Sequence, residues 1–191
     1  YISSLRERLA PSLKNIIYDS LLPNLTNSIK EKHHINLFPY VNLKGKTPNK
    51  GIVAFNDLPR YAMGYAALFH TISFTVETHM LKPFPLRVEA TLAFMEELIN
   101  WTALNKFSIE NARNLAIDFT SNTTHLKYNY LSSSKKDSML FKGYEHSFPI
   151  HNITGLSRLK YDTTKPYTKY IPYYHSSIAK DSVQLPNFYY I

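Results

Sequence analysis

The sequence predicts an α/β protein with a β-rich C-terminal part, on three observations. Apolar residues recur at three- and four-residue steps over residues 5–31 and again from Pro83 to about Asn105, the period of an amphipathic helix. Between those stretches, residues 71–77 (Thr-Ile-Ser-Phe-Thr-Val-Glu) are rich in β-branched and aromatic types. From about Thr123 the helical period gives way to short alternating runs separated by turn-like clusters.

The first helical pattern is carried by Leu5, Leu9, Leu13, Ile17, Leu21 and Leu25, with Arg, Glu, Lys and Asn between them. Pro11 suits a first turn, where a missing N–H costs nothing, and Pro23 predicts a kink or a break. His33 and His34 fall where a helix terminus favours cations. Residues 36–43 and 51–55 read as short strands around a Lys/Gly/Pro/Asn loop. Residues 60–70 read as a short helix packed closely through Gly64, Ala66 and Ala67, and residues 71–77 as a central strand. Pro83 and Pro85 open the long helix, whose stripe Val88, Leu92, Met95 and Ile99, with Phe94, Leu98 and Trp101 alongside, is assigned to the core. Ser108 and Asn111 begin another helix that ends near Phe119. Strands are expected at 125–131, 138–144, 158–161 and 167–174, and the run Phe188 to Ile191 reads as a strand cut in mid-course. The change of pattern sets a boundary near residue 120, between an α/β unit (1–119) and a β-rich extension (120–191).

Composition removes several function classes. With 191 residues and 44% hydrophobic content the chain can bury one sizeable core. It has no apolar run of about 18 residues, so no membrane span is readable. The absence of cysteine excludes disulfides, thiolate metal ligands and a cysteine nucleophile. Glycine is scarce, and no phosphate-cradling glycine loop occurs. The net charge of +8 is uneven: residues 120–191 hold 9 Lys/Arg against 4 Asp/Glu and 13 Phe and Tyr. A basic aromatic surface can hold nucleic acid or sugar. Here the charges are scattered, and tyrosines alternating with Lys and Thr fit exposed strands, so neither nucleic acid nor a membrane is an expected partner. Tyr1 runs into the first helical pattern with no Met or signal segment, which suggests a chain cut from a longer one.

Glu77 is the leading candidate for chemistry. A strand of buried character ends there in a carboxylate, and ligands of open α/β sheets sit beyond the carboxyl ends of strands. A carboxylate so placed can take a proton from a water; a strand-end Glu can equally be a solvated charge. His70 and His79 flank the strand, but no third ligand is spaced for either. Ser132-Ser133-Ser134-Lys135-Lys136 reads as a solvated loop.

The stretch Phe74-Thr75-Val76-Glu77 resembles the Phe-Thr-x-Glu stretch that carries the catalytic glutamate of carboxypeptidase A-like zinc carboxypeptidases. A short Gly-containing helix before this strand and a long helix after it follow the family's order. Pro59-Arg60-Tyr61, Gly64-Tyr65 and Glu77-Thr78-His79-Met80 resemble a bacterial branch with a C-terminal extension. The resemblance implies the C-terminal part of a mixed sheet flanked by helices, with Glu77 as general base. It also places a substrate-pocket tyrosine near Arg60 and Tyr61. Arg60 can clamp a terminal carboxylate in bidentate fashion, or the two side chains can simply stack on each other.

The departure from the family is equally specific. Its zinc ligands are a His-x-x-Glu pair and a later His, yet no His here has Glu three residues on, and the later His belongs before the first helix. No metal ligand is therefore assigned within the chain. The resemblance implies a full-length zinc metallocarboxypeptidase, a hydrolase removing C-terminal residues from peptide substrates outside the cytoplasm, periplasmic or secreted. The zinc cofactor would be held by the parent protein only, and the chain alone would be inactive and prone to self-association. The alternative is a non-catalytic module on the same scaffold that binds peptide or glycan.

Overall fold

The protein is described by a computed structural model over residues 1–186 and 188, so the expected strand over Phe188 to Ile191 lies almost wholly outside the described residues. The chain has mixed α/β content with a β-rich part and forms two compact units. The first takes Tyr1–Tyr40, Phe55–Leu131 and the chain from Ser177 onward; the second takes Val41–Ala54 and Ser132–Ser176. The end of the expected α/β unit near residue 120 coincides with the end of a helix at Ser121, within the first unit.

In the first unit, strand β1 (Ile2–Ser3) is followed by helix α1 (Pro11–Asn15), a π-helical segment (Ile16–Leu21) and helix α2 (Leu22–His33). Pro11 occupies the first turn of α1, as expected. The helix begins there and not at Leu5, which is nonetheless buried at 2% exposure in irregular chain. Pro23 has no N–H to give, and the widened turn lies directly before it: Leu22 N–H donates to the Ile17 carbonyl five residues back. The two predicted parts of the first helix are thus joined through a π-bulge. His34 closes α2 in the left-handed region at φ 57°, with Lys30, Lys32 and His33 in the last turn.

Helix α3 (Ala62–Leu68) follows, then strand β3 (Thr75–Val76), helix α4 (Phe84–Leu104) and helix α5 (Lys106–Ser121); β2 (Ile52–Val53) belongs to the second unit. Gly64 sits so close to the preceding loop that an added Cβ would collide with the Leu58 carbonyl. Strands β4 (His125–Ser132) and β7 (Ser177–Gln184) pair with each other. Strand β3 pairs antiparallel with β1, Ile2 opposite Val76, in a two-stranded sheet. The expected central strand over 71–77 is therefore two residues long and has one neighbour among the described residues. Ile72 and Phe74 pack as side chains against the core, while the backbone around them runs outside any ladder.

Two apolar clusters hold this unit. Leu21, Leu25 and Ile29 meet Phe94 and Trp101 of α4, with Ile2 beside them. Leu13 of α1 packs against Ala112 and Ala116 of α5, where small side chains admit a close approach and Ser12 Oγ donates to the Ala112 carbonyl at 2.7 Å. The assignment of Val88, Leu92, Met95 and Ile99 to the core is corrected here: they are 47–63% exposed, and Ala93, Phe94, Glu97 and Trp101 are buried in their place. Helix α4 carries apolar side chains nearly all round, so its period does not decide which face turns inward. The bulk of Phe94 and Trp101 decides it, together with a buried charge. Glu97 receives Lys32 Nζ at 2.9 and 3.1 Å on its two oxygens, and His33 Nε2 lies 3.4 Å away.

In the second unit, strands β2 (Ile52–Val53), β6 (Lys160–Tyr174) and β5 (Asp137–Ser147) form one sheet in the order β2-β6-β5. Strand β2 runs parallel to β6, and β5 runs antiparallel to it over Ile52, Phe141 and Ile171. Residues 36–43, expected as a strand, make only isolated bridges, Ile2 with Pro39 in the first unit and Leu43 with Ile52 in the second. The two runs expected at 158–161 and 167–174 fall in the single strand β6. The break foreseen between them survives as a register shift, where Tyr144 faces Pro166 and Glu145 faces Asp162. Asp162 Oδ1 accepts from the backbone N–H and the hydroxyl of Thr164, which turns the chain at that shift.

The Lys32 hydrogen bond holds the Glu97 carboxyl below the usual carboxylate range; burial pushes it up, and Ser28 and His33 add to the lowering. A carboxyl held low in the fold contributes stability above its unfolded value, near pH 4, and loses it as the pH falls through the folded value. Glu97→Gln should therefore unfold at lower urea than wild type at about pH 7, with the gap closing as the pH falls through the lowered folded value. A gap independent of pH would contradict the charged pairing.

Candidate functional site

Glu77 follows directly on β3, at the carboxyl end of the strand, and is exposed. Its backbone is fixed: the Glu77 N–H donates to the Tyr1 carbonyl at 2.9 Å, and the Tyr1 amino group donates to the Glu77 carbonyl at 2.7 Å. The strand beneath it is held by Phe74, whose ring meets Phe94 edge-on at 5.9 Å between centroids. No side chain of the described residues hydrogen-bonds or pairs with the Glu77 carboxylate, which leaves it open to an external proton donor.

Arg60 and Tyr61 stand just before α3 and engage each other. Arg60 Nη2 donates to Tyr61 Oη at 2.9 Å, and the guanidinium lies 4.9 Å from the Tyr61 ring centre. Both are exposed, and no hydrogen bond, ion pair or ring contact joins either to Glu77 among the described residues. The histidines do not converge. His79 Nδ1 accepts from the Leu81 N–H at 3.2 Å, His33 lies at the Glu97 pair, and His70 sits in a helix cap. Among the described residues no group of three His, Cys, Asp or Glu can hold a metal ion. The residues present therefore do not fit a three-ligand hydrolytic zinc. The Ser132–Lys136 stretch closes a turn, in which Ser133 Oγ accepts from the Lys135 N–H and meets Ser176 Oγ.

A further group of side chains lines a cavity of about 860 Å³ within the first unit. Its residues come from the irregular segment before α1, the ends of α3 and α5, and strand β4. Arg8 is fixed at its rim: Nε donates to Asn56 Oδ1 at 2.7 Å, and the guanidinium lies 4.7 Å from the Tyr130 ring centre. Burial pushes the Tyr130 phenol up against the pull of Arg8, so the hydroxyl stays a neutral donor at neutral pH. Asp57 feels the same guanidinium, yet burial outweighs it and raises the carboxyl, and no ion pair forms between them.

Sequence reasoning missed this cavity for identifiable reasons. Arg8 looked like the polar face of a helix that in fact starts three residues later, and Tyr130 like one more exposed strand tyrosine. One signal was present. In the cap of α3 the His70 N–H reaches the Ala67 carbonyl and the Thr71 N–H the Ala66 carbonyl, which places His70 in the left-handed position where glycine is the usual choice. His70 lines the cavity and stands at φ 52°, at a conformational cost of about 1 kcal/mol.

Compared with protein-family models, with curated proteins and with solved structures, the chain has no match in any of the three.

Proposed function

We propose that the chain supplies the general-base end of a metallocarboxypeptidase, with Glu77 taking a proton from water and passing it to the leaving amine of a peptide's C-terminal residue. The observation that carries this reading is the Glu77 carboxylate, exposed at the end of β3 and engaged by no described side chain. The chain order on either side supports the reading: α3, packed closely through Gly64, precedes the strand, and the long helix α4, opened by prolines, follows it. The chain's own side chains do not make up a zinc site, so the reading assigns zinc to residues outside this chain, and only the proton transfer is assigned here.

Arg60 and Tyr61 take the substrate role in this reading, the guanidinium leaving Tyr61 to fork onto the peptide's terminal carboxylate. Their mutual stacking is equally that of a surface pair that holds no ligand; the second reading is a non-catalytic module that binds peptide or glycan on the same scaffold. A periplasmic or secreted location goes with the first reading; no helix among the described residues is long and apolar enough to cross a membrane.

In the full-length enzyme, Glu77→Gln keeps shape and removes the proton acceptor, so kcat should fall by about 100-fold or more with KM nearly unchanged. Steady-state kinetics with metal analysis is the test, and activity within about threefold of wild type would end the case for Glu77. The isolated chain should hold no stoichiometric zinc.

Two surfaces fit a chain whose natural cover is another polypeptide. Among the described residues strand β3 has one neighbour, and the Val88, Leu92, Met95 and Ile99 face of α4 is open. The isolated chain should therefore sediment as a dimer or larger at micromolar concentration. A monomer under those conditions would count against this part of the reading.

A further inference from the structure

We propose that the turn joining β5 to β6 in the second unit is a membrane-contact site, which settles into the headgroup region of an anionic lipid bilayer. The two strands pair as far as Ser147 opposite Lys160. Beyond that point the backbone stays tied. The Arg158 N–H donates to the Pro149 carbonyl at 3.0 Å, the His151 N–H to the Leu156 carbonyl at 2.9 Å and the Gly155 N–H to the His151 carbonyl at 2.8 Å. Gly155, at φ 67°, closes the turn in the left-handed region. Rings brace its base: His146 meets Phe148 edge-on at 5.6 Å and Tyr161 at 6.2 Å between centroids.

On this ordered turn Ile150, Ile153 and Leu156 are 71%, 89% and 69% exposed. Single exposed aliphatics are ordinary on a protein surface, but three on one hydrogen-bonded turn form a patch. The charge around them has one sign. From His146 to Tyr161 the chain carries Arg158, Lys160 and two histidines, and no Asp or Glu. The next acids, Glu145 and Asp162, face each other across the ladder, and Asp162 is engaged by Lys165 at 3.5 Å and by Thr164.

Aliphatic side chains at the tip, with Phe148 and Tyr161 and two cations behind them, suit an interfacial anchor. The alkyl groups enter the acyl boundary, the rings sit at headgroup level and the cations meet lipid phosphates. A protein partner fits less well, because a stable interface takes about 20 residues or more from each side, more than this turn offers. Nucleic acid also fits less well, since aliphatic tips have no π-face on which bases stack. The scattered charge of residues 120–191 as a whole gave no expectation of a membrane, yet the turn gathers cations and aliphatics that the average conceals. The contact lies in the interface and does not span, and it stands apart from the reading of Glu77.

The test is flotation of the 191-residue chain with vesicles of phosphatidylcholine alone, and of phosphatidylcholine and phosphatidylglycerol in equal parts. The chain should bind the mixed vesicles at least about fivefold more strongly. Ile153→Ser with Leu156→Ser should weaken that binding by about tenfold or more. Arg158→Gln with Lys160→Gln should remove the preference for the mixed vesicles. All four side chains are exposed, so both variants should melt as wild type does. The proposal is overturned if wild type floats with neither vesicle, if it binds both equally, or if the folded serine variant binds as wild type does. A serine variant that sediments as a smaller species than wild type without vesicles would assign the turn to a second copy of the chain, and overturns it as well. Should the serine variant fail to fold, the glutamine variant decides: a lost preference supports the proposal and an unchanged one overturns it.

Discussion

The seam between α2 and α4 is the constraint on which the first unit depends. Leu25 and Ile29 are each 1% exposed and close on Phe94 and Trp101, and Glu97 sits in the same seam with Lys32 reaching over it. A charge in that position accepts only one orientation of α4, because any rotation would bury the carboxylate away from its cation. The orientation then propagates. Phe94 offers its ring to Phe74, and Phe74 and Val76 join the cluster from either side of Thr75. The strand so fixed ends at Glu77, whose backbone is held in turn by Tyr1. The candidate base is thus positioned by helix packing more than by a sheet.

The same orientation explains what is open. A helix apolar on both faces can bury one face in this chain, and the other is left to solvent or to another polypeptide. The exposed row on α4 and the single partner of β3 among the described residues are two consequences of one arrangement, and both bear on the proposed role as part of a larger enzyme. The cavity beside Arg8 has a different origin. It opens where α1 begins late, at Pro11, so the preceding segment runs as irregular chain and presents Arg8 to Asn56 and Tyr130.

The legible parts of the fold were those set by local chemistry. Prolines at Pro11 and Pro83 marked helix starts, the α5 boundaries came within a few residues, and alternation located β4 and β5. Parts set by tertiary competition were not legible. The inward face of α4 was misassigned because two apolar faces have the same period, and the 71–77 stretch was read as a full strand although β-propensity cannot supply pairing partners. Strand β7 went unseen because its Ser, Ala, Lys and Asp residues alternate weakly. At the candidate site, the short string ending at Glu77 located the end of a strand, and β3 does end at Val76, directly before it. Arg8, Tyr130 and His70 were not legible, since segments far apart in sequence bring them to one cavity.

The orientation of α4 can be tested by comparing two neighbouring truncations, Phe94→Ala and Met95→Ala, in urea unfolding followed through the single tryptophan, Trp101. The account predicts a loss of about 3–5 kcal/mol for Phe94→Ala, the scale for emptying a buried aromatic site, and under about 1 kcal/mol for Met95→Ala. Equal losses, or a larger loss at Met95, would mean that α4 turns its other face inward, and the positioning of Glu77 argued here would fall with it.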